Sequence, residues 1–195
     1  HDLYFQSIGR QLAHMKGSVK RLAAQYEYLR ALRYELRTIP QFDSVQLCSR
    51  ANRDFLLEFA PKLAGLTTDR VRAGITVSRY PLRIGGRTPR TMLFLGSFRH
   101  QPNAEALQWF VHQSLPHVLS ACPDARAVII GSDPPPRYSL PDFGEAIDLR
   151  GYVDDIQIPL AECAVFVCPI LSGSGVRVKL LEAFASGIPV VSTRV

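Results

Sequence analysis

The sequence predicts an α/β protein whose main unit is a doubly wound parallel sheet, and two observations carry that reading. From residue 91 onward, short runs that are apolar along their whole length alternate with amphipathic segments of helical period. A strand apolar on both faces is buried on both faces, which happens in parallel sheets covered by helices. Each run also closes on glycine or on a Gly/Ser/Pro loop, the punctuation expected where a strand hands over to a crossover.

The elements follow in order. Residues 3–7, Leu-Tyr-Phe-Gln-Ser, resemble the scar of a protease-cleavable tag, but His1-Asp2 does not fit such a site, and the segment is read as natural. Residues 11–37 lack proline and repeat Leu22, Tyr26, Leu29, Leu32 and Leu36 at helical spacing among lysines and arginines. One long basic amphipathic helix is expected there, stopped by Pro40. Residues 45–48 form a short strand, and Ser49 can cap a helix over 50–59. Residues 61–90 are rich in proline and glycine and read as a linker with a strand-like piece at 71–77.

The regular part then begins. Strands are expected at 92–95, 127–130, 147–149, 165–168 and 190–192. Between the first two, a helix opens at Pro102, packs Leu107, Phe110, Val111, Leu115, Val118 and Leu119, and stops at Pro123. A short helix is expected over 156–163 and a last one over 177–186.

Composition excludes several classes. The chain is 195 residues long, 47% hydrophobic and 21% charged, which suits a protein with a real core. Its longest nearly apolar stretch, 158–171, is broken by Glu162 and too short to cross a bilayer. The net charge of +6 is unevenly spread. Residues 1–90 hold 16 Lys/Arg against 7 Asp/Glu, a balance of +9, and residues 91–195 hold 7 against 10, a balance of −3. A basic front section facing an anionic partner and a plain solvated basic helix both account for it. Cys48, Cys122, Cys163 and Cys168 form no CxxC pair and no metal-like cluster with the histidines, so a reduced, cytoplasmic setting and no bound metal are expected.

Ligands of doubly wound sheets bind at the carboxyl ends of the strands. Here those ends carry Gly96-Ser97-Phe98-Arg99, Gly131-Ser132-Asp133, Gly151-Tyr152-Val153 and Ser172-Gly173-Ser174-Gly175. The last is a loop that can bring backbone N–H groups close to an anion at a helix N-terminus. Arg177 and Lys179 fall in the expected first helical turn, where a cation opposes the macrodipole by roughly 0.3–1 kcal/mol. A bound phosphate would reverse that sign; otherwise both side chains extend into solvent. Lys179, Glu182 and Ser186 share a stripe, with Leu180, Leu181, Phe184 and Ala185 as the packing side. Glu182 suits sugar hydroxyls, although an i,i+3 Lys–Glu pair explains the spacing equally well. Neither GxxxxGK[ST] nor GxGxxG after the first strand is present, which disfavours P-loop NTPases and NAD enzymes. Arg99 with Lys179 would supply two cations from two strand ends, a fit for a nucleoside diphosphate derivative.

The run from Gly173 through Lys179-Leu180-Leu181-Glu182-Ala183-Phe184-Ala185-Ser186-Gly187 to Thr193 resembles the donor-site signature of group 1 (retaining, GT-B) glycosyltransferases. Gly96 to His100 with Pro102-Asn103, and Gly151 to Asp155, support it. The resemblance implies a Rossmann-like donor domain and sugar transfer from a nucleotide sugar with retention and without an essential metal or cofactor. It places the ribose at Glu182 and the diphosphate at Arg99, Lys179 and Arg177 with the loop Gly173, Ser174 and Gly175. The base falls near Gly151 and Val153. Serine at 174 departs from the family, many of whose members have glutamate eight residues before the second one. No catalytic residue is assigned; His1 is the one candidate, matching a histidine that reaches the donor sugar in that family.

The resemblance also accounts for the length: residues 1–75 as a helical remnant of an acceptor-side domain, 76–90 as a linker, and 91–195 as a donor domain incomplete at its C-terminus. The expected donor is a UDP- or GDP-sugar that gives up a hexose, and the expected acceptor is a glycan or a lipid-linked molecule. Peripheral contact with the inner face of an anionic membrane is expected, and nucleic acid is not. A non-catalytic nucleotide-sugar-binding or interaction module, and a GT-B sugar-nucleotide epimerase, are the alternatives.

Overall fold

A parallel sheet of five strands dominates the computed structural model, which describes residues 3–15, 17–71, 73–173 and 175–194. By its contacts the chain divides into two units. One runs to Gly74 and includes the loop Ser172–Arg177; the other is Ile75–Leu171 with Val178–Arg194.

The first unit contains helices α1 (Tyr4–His14), α2 (Ser18–Thr38) and α3 (Arg50–Phe59), and two short parallel strands, β1 (Val45–Gln46) and β2 (Thr67–Thr68), which pair Val45 with Thr67. The single helix expected over 11–37 is therefore two. Gly17 precedes α2 at φ +98°, a left-handed conformation that suits glycine and ends helical continuity there. The expected apolar stripe is divided as well. Leu32 and Leu36 pack on the core, but Leu22, Tyr26 and Leu29 are more than 60% exposed. The core consists of Leu3, Phe5, Ile8, Leu47, Leu56 and their neighbours, with Phe5 stacked on Phe55 at 5.5 Å. Residues 3–7 thus enter the fold as part of its core and of α1.

Two polar groups organise this unit. Among the described residues, no side chain caps the N-terminus of α1 from its own flank. Instead Glu35 of α2 accepts hydrogen bonds from Tyr4 N (3.0 Å) and Phe5 N (3.3 Å), placing a carboxylate at the positive end of the helix. Burial pushes the Glu35 carboxyl above its ordinary range, and the two N–H bonds offset part of that. Ser49 caps α3 as expected, its Oγ accepting from Asn52 N at 3.1 Å.

The second unit is the sheet, in order β5-β4-β3-β6-β7, all parallel. Its strands are β3 (Thr88–Leu95), β4 (Arg126–Ile130), β5 (Ile147–Gly151), β6 (Cys163–Cys168) and β7 (Val190–Ser192). The chain winds outward from β3 through β4 to β5, then returns to β6 and β7 on the other side, so the order reverses between β3 and β6. Right-handed crossovers then put α4 (Gln101–Trp109) and α5 (Leu115–Ala121) on one face, and α6 (Gln157–Glu162) and α7 (Val178–Ala185) on the other. Leu93, Val128 and Phe166 sit in register toward one face; Phe94, Ile129 and Val167 point to the opposite one, where Phe110 packs 6.2 Å from Phe94. Cys163 and Cys168 are buried as small hydrophobes, and none of the four cysteines is in a disulfide.

Three further expectations are corrected here. The strand-like piece at 71–77 is not a strand among its described residues; β3 instead begins at Thr88, and a 3₁₀ turn occupies Val77–Arg79. The helix after β3 is interrupted by a π turn at Phe110–Ser114, where Leu115 N reaches back to Phe110 O. Pro116 supplies no N–H to continue the α ladder, and the wider turn absorbs the gap. Phe184 of α7 is 61% exposed, whereas Ser186, the residue after α7, is buried and donates to Glu182 O at 2.9 Å. Among the described residues no helix is long and apolar enough to cross a membrane.

Candidate functional site

The turns that follow β3, β4 and β5 are stitched into one edge. Gly96 N donates to Ile130 O (3.0 Å), Phe98 N to Ser132 O (2.9 Å) and Gly131 N to Gly151 O (2.7 Å), while the hydroxyls of Ser97 and Ser132 meet at 2.9 Å. Gly131 has no substitute: at φ +155° its backbone suits glycine, and a Cβ there would stand 1.5 Å from Gly96 O. Along this edge lies a cleft of about 320 Å³, at the carboxyl ends of the strands beside the reversal of strand order.

Lys179 and Glu182 both line it, from the first and second turns of α7. The Lys179 ammonium donates to Leu95 O (2.7 Å) and Asn103 Oδ1 (2.8 Å) and lies 5.9 Å from the centre of the Phe94 ring. Asn103 in turn donates to Ser97 O at 2.9 Å, so one amide joins the lysine to the turn after β3. The Glu182 carboxylate accepts from the Tyr80 hydroxyl at 2.7 Å. That bond, followed by burial, holds the Tyr80 phenol above its ordinary range, so the hydroxyl stays a donor at neutral pH. Tyr152 and Val153 complete the wall.

The other sequence-predicted residues fall elsewhere. Arg99 does not line the cleft; its Nε pairs with Asp133 at 2.8 Å, and the side chain is 81% exposed. Gly151 contributes the carbonyl that receives Gly131 N. Gly173, Gly175 and Arg177 belong to the loop of the first unit, where Arg10 donates to Gly173 O. Arg177 precedes α7 and does not lie in its first turn. It folds onto its own loop, donating to Gly175 O (2.6 Å) and Ser172 O (3.3 Å), and the Ser172 hydroxyl is buried with no hydrogen-bond partner among the described residues. His1 and Ser174 lie outside the described residues. Among the described residues, no group of three or more His, Cys, Asp or Glu could hold a metal ion.

Tyr80 and the serine pair Ser97 and Ser132 were not singled out by sequence reasoning. Nothing local marks Tyr80, which lies 102 residues from its partner. Ser97 and Ser132 were visible as small residues at strand ends.

Comparison with known proteins agrees with this architecture. The chain is similar in fold to the crystal structure of TarM, with a TM-score of 0.67 and 14% identity over 85% of this chain and 32% of that one. It is also similar to Anabaena HepE in complex with UDP and glucose, with a TM-score of 0.61 and 16% identity over 85% of this chain and 48% of that one. It thus spans about a third to a half of the solved chains it matches. No curated protein matches it. The sequence pattern of the family described as Glycosyl transferases group 1 matches residues 89–195, more than half of the chain, and the chain therefore belongs to the group 1 glycosyl transferases.

Proposed function

We propose that the sheet unit binds the donor of a retaining glycosyltransferase, a UDP- or GDP-hexose whose sugar passes to a glycan or lipid-linked acceptor. The observation that supports this reading is the convergence of one ammonium, Lys179, and one carboxylate, Glu182, on a single cleft at the strand ends. In it Lys179 faces the diphosphate, Glu182 the ribose hydroxyls, and the backbone near Val153 and Gly151 the base. Arg99, in the turn after β3 of the same unit, is proposed as a further diphosphate contact. No cofactor is required.

The chemistry is one of charge. Cleaving the sugar–phosphate bond builds positive charge on the sugar ring and negative charge on the departing diphosphate. A fixed ammonium beside the leaving group therefore stabilises the transition state more than the bound donor. Glu182 contributes by binding and orientation, its carboxylate oxygens accepting hydrogen bonds from sugar hydroxyls.

Calorimetric titration with UDP and GDP tests the reading, and the HepE complex makes UDP the first ligand to try. Saturable binding of one of them is expected. Lys179→Ala and Glu182→Ala should each weaken it, the former with a loss that shrinks at high salt. A folded chain that binds neither nucleotide would sink the proposal. Contact with an anionic membrane belongs to the same reading, supported by exposed Val19, Leu22, Tyr26 and Leu29 beside Lys20, Arg21, Arg30 and Arg33 on α2. Co-sedimentation with phosphatidylglycerol vesicles, but not with phosphatidylcholine vesicles, is the expected result.

A further inference from the structure

Residues 80–87, which run ahead of β3, are fastened to the C-terminal end of α7. Arg83 N donates to Ser186 O at 3.2 Å, and Leu82 lies so close to Gly187, at φ +69°, that a Cβ there would stand 2.5 Å from it. Arg87 extends the attachment: its guanidinium reaches the carbonyls of Leu160, Cys163 (3.0 Å), Arg83 (2.9 Å) and Ser186 (2.8 Å). The segment is thus held at both its ends, and Tyr80 starts it. Its ring is half-buried against the sheet core, and its hydroxyl meets Glu182 Oε1.

A glutamate's terminal torsion is soft, so an untethered carboxylate samples many orientations. A donor fixed on one oxygen removes that freedom and leaves the second oxygen aimed. We propose that Tyr80 is a positioning residue for Glu182, holding Oε1 so that Oε2 is presented to the ribose hydroxyls and the cleft prefers ribonucleotides to their deoxy counterparts. The inference rests on the reading of Glu182 as the ribose-binding carboxylate. It adds to that reading a residue outside the donor-site run and 102 positions away from it. A purely structural tie between the segment and α7 would affect stability and every nucleotide alike, whereas a positioning role is confined to ligands that carry the hydroxyl.

Titration calorimetry of the 195-residue chain with UDP, 2′-deoxy-UDP and 3′-deoxy-UDP, and the matching guanosine series, separates the possibilities. Tyr80→Phe keeps the ring and its packing. It is expected to weaken the bound ribonucleotide by about five- to ten-fold, the worth of one well-oriented hydrogen bond, while changing the affected deoxy analogue by less than two-fold. Glu182→Gln should flatten the same preference, and the double variant should lose no more than Glu182→Gln alone. A parent that binds ribo and deoxy nucleotides equally overturns the Glu182 reading itself, as does absence of binding to either series. A parent preference that vanishes in Glu182→Gln but persists in Tyr80→Phe overturns the positioning role and leaves the reading of Glu182 standing. Should Tyr80→Phe fail to fold, Tyr80→Leu against Tyr80→Trp, compared by the same ribo-to-deoxy ratio, carries the test: both must flatten it.

Discussion

Arg87 ties α6, β6 and the end of α7 to the segment before β3, and removing it should loosen them at once. Its guanidinium donates to carbonyls at the end of α6 (Leu160), the start of β6 (Cys163), the residue after α7 (Ser186) and the segment before β3 (Arg83). Burial, followed by the nearby Arg83 charge, lowers the guanidinium pKa from its ordinary range, yet it stays charged and its partners are all carbonyl dipoles. The Leu160, Cys163 and Ser186 bonds are partly buried, whereas the Arg83 carbonyl can be rehydrated. At about 1 kcal/mol for each of the three, Arg87→Met, which keeps the aliphatic stem, should cost about 3 kcal/mol. Arg87→Lys retains the charge but not the planar fork and should cost about 1–2 kcal/mol. Trp109 is the single tryptophan and lies in α4, so its fluorescence during urea unfolding follows the sheet unit. With a slope near ~2 kcal/mol per molar urea, the Met variant's midpoint should fall by roughly 1.5 M. A fall below about 0.3 M would refute the reasoning, because it would mean that water satisfies those carbonyls as well as the arginine does.

Three other outcomes are expected. Ser49→Ala removes the oxygen that accepts Asn52 N and should cost the first unit about 1 kcal/mol, read by circular dichroism during thermal unfolding. Gly131→Ala places a Cβ 1.5 Å from the Gly96 carbonyl, so the edge must separate; nucleotide binding should be lost and the sheet unit's urea midpoint sharply lowered. Burial raises the folded pKa of Glu35 above the ordinary value of 4.5, so its charged form carries a penalty that is full above the folded pKa and gone below about 4.5. Denaturation at several pH values should therefore show the parent gaining on Glu35→Gln as pH falls from neutral toward 4.5. A gap that widens in Gln's favour on acidification would contradict this.

The sheet was legible because its physics is local. A strand buried on both faces must be apolar along its length, so Leu93, Phe94, Ile129 and Phe166 announce themselves, and Ser49 announces the cap of α3 by its chemistry alone. What the sequence concealed depends on the far ends of contacts. Ser186 shares the Lys179–Glu182 stripe, away from the expected packing side, but it is buried because it can return its hydroxyl to Glu182 O; Phe184, on the expected packing side, lies where no described element covers it. The break before α2 depends on one glycine at positive φ, which a continuous run of helix formers on both sides disguises.

The stripe on α7 shows where local reasoning ends. Spacing alone put Lys179 and Glu182 on one face, and both do line the cleft. The further step, that a cation at a helix N-terminus calls for an anion, loses its force in the structure. Arg177 precedes the helix and satisfies its own loop. Lys179 sets its charge against the Leu95 carbonyl, the Asn103 oxygen and the Phe94 ring, 84, 76 and 85 residues away in sequence. Those partial negative charges offset the macrodipole without a ligand. The case for a diphosphate therefore rests on the location of the ammonium at the strand ends, where the turns after β3 and β4 leave room for a ligand, and no longer on a helix in electrostatic deficit. It also follows that Lys179 is oriented before any ligand arrives. An ammonium already directed by Leu95 and Asn103 spends little rotamer entropy on binding, which is the pre-organisation a leaving-group cation needs.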